Sequence, residues 1–144
     1  MSENFEPTII AFLCKWCSSA GCDLAGVSRL EYPPNVIPIT VPCSGSMSPL
    51  YILSAFAKGA DGVLVSGCHP GDCHYIKGNM YTRRRLAMLK KMLEYTGIEP
   101  ARFQMSWVSA AEGVKFTKLI DSFVQELKPL GPQNKLRRKA VWTK

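Results

Sequence analysis

A chain of 144 residues, 47% hydrophobic and 20% charged, has the size and balance of one globular domain with a real core, and no apolar run long enough to span a bilayer. The net charge of +7 suggests a nucleic-acid binder until it is located: Lys135, Arg137, Arg138, Lys139 and Lys144 contribute five of it, with no acid among the residues from 135 onward. The body is therefore nearly balanced, and nucleic acid is not an expected partner.

Residues 1–6 carry acids and no basic stretch, so they do not read as a signal peptide, and a cytoplasmic protein is expected. In that compartment thiols stay reduced, and six cysteines point to metal binding or catalysis rather than to disulfides. Residues 8–13 then read as a strand apolar on both faces, as in a buried parallel sheet. It runs into Cys14-Lys-Trp-Cys17, and a helix is expected over about 19–30, with Cys22 inside it. Residues 36–41 form a second apolar strand, whose Pro38 and Pro42 suggest a sheet edge. Cys43-Ser-Gly45 follows its end. Ser48 caps a helix that has Pro49 in its first turn and stops at Gly59.

Residues 62–66 make a third strand, leading directly into Gly67-Cys-His-Pro-Gly-Asp-Cys-His-Tyr75. The Pro-Gly reversal between Cys68 and Cys73 brings both sulfurs round to one side, and both histidines, His69 and His74, lie here. A helix over 79–96 follows, with Leu86, Leu89 and Leu93 on one face and Gly97 at its end. Its Arg83, Arg84 and Arg85 read as a solvated face, with docking as the functional alternative. Residues 103–108 are a fourth strand. Ser109 and Glu112 have capping-box spacing, and the last helix carries Phe116, Ile120, Phe123 and Leu127 on one stripe up to Pro129. The expected organisation is a single domain over 1–130 and a basic tail over 131–144, mobile until it meets a partner. Strand and helix alternate four times without a hairpin signal, which predicts an α/β fold: an open parallel sheet of about four strands with flanking helices, flavodoxin-like.

In such a sheet every strand ends at the same edge. Cys14, Cys43 and the Cys68/Cys73 loop each follow a different strand, and Cys17 lies just beyond Cys14. Four thiolates suit zinc or an iron–sulfur cluster, and cysteines spread over several strand ends suit the wider [2Fe–2S] cluster better than compact zinc knuckles. Gly45, Gly67 and Gly71 let backbone amides approach the sulfurs. A zinc-stabilised adaptor and a dithiol oxidoreductase built on Cys14 and Cys17 are the alternatives. A two-histidine cluster is disfavoured, because His69 and His74 each directly neighbour a cysteine. No carboxylate pair or triad suggests catalysis.

Cys14-Lys-Trp-Cys17-Ser-Ser-Ala-Gly, Asp23-Leu-Ala-Gly-Val-Ser-Arg29, Tyr32-Pro-Pro-Asn-Val36, Gly59-Ala-Asp-Gly-Val-Leu-Val65, the 67–75 motif and Arg83-Arg-Arg85 together resemble one family. It is the iron–sulfur delta subunit of the methyl-viologen-reducing (F420-non-reducing) hydrogenase of methanogenic archaea. The resemblance covers residues 8–132 and implies an electron-transfer subunit with one [2Fe–2S] cluster in methanogenesis. It implies as partners the flavin subunit of heterodisulfide reductase and either a hydrogenase small subunit or a formate dehydrogenase iron–sulfur subunit, in an electron-bifurcating complex. The matching cysteines are Cys14, Cys17, Cys43, Cys68 and Cys73, one more than a cluster needs, with Cys17 or Cys43 expected to be the extra one. Cys22 falls outside the pattern. Trp16 and the basic tail are expected docking elements, or else a core aromatic and a solubilising end.

Overall fold

The computed structural model describes residues 5–136, so Arg137, Arg138, Lys139 and Lys144 of the expected tail lie outside it. Four strands and four helices alternate along it: β1 (Ile9–Cys14), α1 (Ser18–Val27), β2 (Val36–Val41), α2 (Pro49–Ala57), β3 (Gly62–Gly67), α3 (Gly78–Tyr95), β4 (Phe103–Trp107) and α4 (Gly113–Leu127). The strands form one sheet in the order β2-β1-β3-β4, and every pairing is parallel. That order matches the first four strands of a flavodoxin-like sheet. The expected α/β class and parallel sheet are therefore present.

Side chains alternate across the sheet and sort the core into two layers. Phe12, Val63, Val65 and Phe103 meet Ile52 and Phe56 of α2 and Leu86, Leu89 and Leu93 of α3. Ile9, Ala11, Leu13 and Leu64 face the other way, onto Ala25 of α1 and Phe116, Ile120, Phe123 and Leu127 of α4. Burial of each large apolar side chain contributes about 1.5–3 kcal/mol. Cys22 belongs to this second layer, where burial raises its thiol pKa. It serves packing, apart from the other cysteines.

The strand edge at β2 follows from Pro38. Ile9 N–H donates to Asn35 O and Lys15 N–H to Val41 O, so odd-numbered residues of β2 turn towards β1. Pro38 points outward, where its missing N–H costs nothing and blunts the open edge.

Helix ends mostly follow the expected signals. Ser48 Oγ accepts from Leu50 N–H at 3.2 Å with Pro49 opening α2, and Gly97 takes φ +93° after α3. The 109–112 capping box forms only by half. Glu112 Oε1 accepts from Ser109 N–H at 2.9 Å, but α4 starts only at Gly113 and Glu112 makes no side-chain cap bond to it. Its carboxylate is held by Ser109 and His69 instead.

A buried polar knot closes the edge where strands begin. Arg102 is 1% exposed and donates to Asp61 O, Leu130 O and Gly131 O at 2.9–3.1 Å and to Glu99 at 2.6 Å. Asp61 accepts from Thr8 N–H and Gln133 N–H. Gln133 is buried and donates on to Phe56 O and Ala60 O, and Leu136 packs on the first core layer. The first residues past 131 thus lie on the body rather than hanging free.

Arg102→Ala leaves several buried carbonyls without donors and is expected to cost about 3 kcal/mol. Urea denaturation should show a large drop in midpoint at unchanged m-value, whereas the exposed Lys118→Ala should stay within about 0.5 kcal/mol.

Candidate metal centre

At the opposite edge, where the strands end, five thiols gather. Cys14 is the last residue of β1, Cys68 follows β3, and their sulfurs are 3.6 Å apart. These strands are direct neighbours at the sheet centre, so register alone brings the two together. Cys43 comes from the edge strand β2 and reaches inward over a 3-10 turn at Ser44–Ser46. Its sulfur lies 4.0 Å from Cys73. Cys14, Cys43, Cys68 and Cys73 are all buried, with the half-buried Cys17 packed against them.

The second pair depends on a close backbone crossing. A Cβ on Gly45 would sit 2.9 Å from the Gly78 backbone, and one on Gly78 would sit 2.6 Å from Cys43 Sγ and 3.3 Å from Cys73 Sγ. Both glycines are required because a methyl group would occupy the space beside the sulfurs. Gly45 N–H also donates to Cys43 Sγ at 3.3 Å. Of the other expected glycines, Gly67 is crowded by Ser44 and Trp107. Gly71 supplies φ +91° for the turn after Pro70, closed by Asp72 N–H on His69 O at 3.0 Å.

Three polar links fix the loops. Asn79 Nδ2 donates to Cys68 O and His69 O, each at 2.9 Å, while its Oδ1 is buried without a hydrogen-bond partner. Ser18, the residue after Cys17, donates to Gly67 O and Val108 O at 3.3 and 3.2 Å and accepts from Ser66 Oγ at 2.9 Å. His69 pairs with Glu112 at the start of α4. His74 stacks on Trp16 with ring centroids 3.9 Å apart, which lays an aromatic lid from one cysteine loop across to the other. Trp16 is thus a partly exposed cover, not a core residue.

The electrostatics differ between sulfurs. Burial, with hydrogen bonds to Cys17 and Cys14, pushes the Cys68 thiol pKa up, and burial raises Cys43 against the lowering effect of the Gly45 amide. Burial acts on Cys73 too, but the N–H groups of Asn79, Tyr75 and Gly78 outweigh it and lower its pKa. Cys73 therefore sits at the amino end of α3, where exposed amides favour an anion.

Among the described residues no three His, Cys, Asp or Glu side chains surround a point that a single metal ion could occupy. The thiols form two pairs instead. A tetrahedral metal with sulfur bonds of ~2.3 Å holds two thiolates about 3.8 Å apart, close to the 3.6 and 4.0 Å observed. The donor set and the glycine-lined space thus fit a group with two metal centres better than one ion. Gly78, Asn79, Ser18 and Glu112 belong to the site although the sequence does not single them out for it. A Gly-Asn opening a helix just past a cysteine loop is the available signal for the first two.

The fold and site define a small doubly wound α/β protein with a five-thiol centre at the carboxyl ends of its strands. The chain belongs to the family described as methyl-viologen-reducing hydrogenase, delta subunit, whose profile matches residues 9–131. It is 49% identical over 132 residues to the iron-sulfur subunit of the vhc F420-non-reducing hydrogenase of Methanococcus voltae, covering 92% of each chain. It is 46% identical over 132 residues to the iron-sulfur subunit of the F420-non-reducing hydrogenase of Archaeoglobus profundus, covering 92% of this chain and 96% of that one. It is also 47% identical over 126 residues to a subunit of the ferredoxin/F(420)H(2)-dependent CoB-CoM heterodisulfide reductase of Methanosarcina acetivorans, covering 88% of this chain but 16% of that longer one.

The Ser109 amide and His69 hold the Glu112 carboxyl at about 2, below its usual 4.5. A depressed folded value means the stabilisation is complete above about 4.5 and is lost as pH falls towards about 2. Thermal melting of the metal-free chain from about pH 6 down to about pH 2 should show that loss, and Glu112→Gln should flatten the profile in that window.

Proposed function

We propose that the chain is an electron-transfer subunit holding one [2Fe–2S] cluster, with Cys14 and Cys68 on one iron and Cys43 and Cys73 on the other. The observation that carries this reading is the division of the buried thiols into two close pairs. The iron-sulfur subunits among its relatives support it. Cys17, less buried than the other four although it also reaches Cys68, is the fifth thiol. Bound there, a cluster accepts and releases one electron at a time.

The chain's own groups do the rest. The Gly45, Gly78, Asn79 and Tyr75 amides place positive dipole ends on Cys43 and Cys73, which favours the reduced, more negative state. The Trp16–His74 stack ties the two cysteine loops together. No residue is assigned a catalytic role.

Relatives named as hydrogenase subunits and as a heterodisulfide reductase subunit support a place for the chain between those two systems. We assign the donor as a hydrogenase small subunit, or a formate dehydrogenase iron–sulfur subunit in its place. The acceptor is the flavin subunit of heterodisulfide reductase, within an electron-bifurcating, cytoplasmic complex of methanogenesis. No helix of the described residues is long and apolar enough to cross a membrane, in keeping with that setting.

Anaerobic purification followed by iron and acid-labile sulfide analysis tests the reading, with EPR after dithionite reduction. About two irons, two sulfides and a spin-half signal are expected. Cys14→Ser, Cys43→Ser, Cys68→Ser and Cys73→Ser should each lose or shift the signal, while Cys17→Ser keeps it. Stoichiometric zinc without sulfide would overturn the reading in favour of a structural metal. A metal-free protein with a titratable dithiol, after cluster loss in preparation is excluded, would favour a redox enzyme.

Gly78→Ala is expected to cut iron and sulfide content to less than about half, since its methyl meets two ligand sulfurs. Gly26→Ala, with nothing within 4 Å of the added Cβ, should leave the content unchanged.

A further inference from the structure

Helix α3 carries two apolar stripes, and among the described residues only one is used by the fold. Leu86, Leu89 and Leu93 are buried in the core. Tyr81, Met88, Met92 and Tyr95 are each more than half exposed. At 100° per residue these four fall within an arc of about 60°, along about 21 Å of helix. On α4, by contrast, Val114 is the one large apolar side chain left exposed among the described residues.

The stripe has a charged rim. Arg84 and Lys91 follow one side of it and Arg85 the other, and with Arg83 and Lys90 the helix holds five bases against one acid, Glu94. Arg85 is partly engaged, donating to Gly45 O and Met47 O at 3.1 and 2.8 Å. The stripe is also continuous with the thiol centre. Tyr81 and Arg85 line a cavity of about 340 Å³ together with Pro42, Cys43, Gly45 and Tyr75, and α3 itself starts against the Cys43 and Cys73 sulfurs.

We propose that this stripe is a docking seam for an acidic amphipathic helix of a partner protein, laid along α3 with one end at the thiol centre. Methionine and tyrosine suit a seam that must adapt to a partner, since Met fills irregular gaps and Tyr offers area with a polar tip. The basic rim selects acids on the incoming helix and sets its register. A second copy of this chain is disfavoured because the same basic rim would face itself. A lipid surface is disfavoured because a narrow arc of Tyr and Met, on a helix whose other apolar face is buried, offers little to insert. The importance of the seam rests on the electron-transfer reading, because it would bring a partner to the mouth of the centre; the binding itself does not.

The test uses the full chain purified anaerobically, titrated calorimetrically with the flavin subunit of heterodisulfide reductase and, separately, with the hydrogenase small subunit of the same organism. With either protein, Met88→Asp/Met92→Asp should weaken binding by roughly tenfold or more. Arg84→Glu/Lys91→Glu keeps the apolar stripe and should weaken binding while flattening its salt dependence. Val27→Asp, on an exposed site of α1, should bind like the unsubstituted chain. Melting temperature and iron–sulfide content should be unchanged in all three, which separates lost docking from lost folding. Hydrogen exchange should slow on the outer face of α3 in the complex. Binding within about twofold for both double variants, protection confined to the β2 edge, or no binding to either protein would overturn the proposal. So would a self-association or an anionic-vesicle affinity that accounts for the stripe and vanishes with Met88→Asp/Met92→Asp. If the chain binds through α3 but holds no iron and sulfide, the cluster reading fails and the seam stands; the reverse pattern removes only the seam.

Discussion

Parallel strands impose a direction on everything attached to them, and this molecule depends on that constraint more than on any single bond. Because β1, β2 and β3 all run the same way, residues that follow them share one edge however far apart they lie in sequence. The two central strands bring Cys14 and Cys68 together without further help. The edge strand ends farther out, so Cys43 needs the inward-turning Ser44–Ser46 segment and the glycine crossing at Gly45 and Gly78 to reach Cys73. A site spread over three strand ends therefore has a rigid half set by the ladder and a second half set by loop packing.

The electrostatic cost of the arrangement falls on that same edge. Buried thiolates held at separations near 4 Å would repel one another. The fold offsets this most at Cys73, through the amides at the start of α3, and in part at Cys43, through the Gly45 amide. Cys68 has no comparable set of donors and its pKa is driven up. Positive charge from bound metal would supply the remaining compensation, so loading the centre and ionising its thiols are one coupled process. The thiol edge is accordingly the least self-sufficient part of the molecule, while the polar knot around Arg102 and Asp61 at the opposite edge is satisfied by the chain alone.

What could be read from residues follows the same division. Alternating strands and helices, the strand-end cysteines, the Pro38 edge and the caps at Ser48 and Gly97 are local patterns, each with its own physical cause, and they are legible. The pairing of Cys43 with Cys73 is not, because it rests on a contact between glycines 33 residues apart in the chain. Arg102 looks like any surface base, since nothing nearby in sequence reveals the Leu130 and Gly131 carbonyls that it meets. The capping-box spacing of Ser109 and Glu112 puts the start of α4 a turn too early, and it does not disclose that His69 shares the carboxylate with the Ser109 amide. The outer stripe of α3 is half visible: its arginines stand out, but Met88, Met92 and Tyr95 become informative only once Leu86, Leu89 and Leu93 are known to face inward.

The polar knot also explains how one domain can occur both alone and inside a much longer chain. Asp61 accepts from Thr8 N–H, where the chain enters β1, and from Gln133 N–H, just after it leaves the last helix. One carboxylate thus ties the incoming and outgoing stretches of polypeptide together at the edge opposite the thiols. The long heterodisulfide reductase subunit of Methanosarcina acetivorans, of which the matching region is 16%, has the arrangement that such a junction permits. In that covalent form a partner is held at high effective concentration, so even a modest docking seam would be occupied most of the time. As a separate chain, the domain has to hold its partner by surface chemistry alone. A second apolar stripe with a basic rim is a costly feature to leave in water, and the proposed docking would give it a use beside the thiol centre.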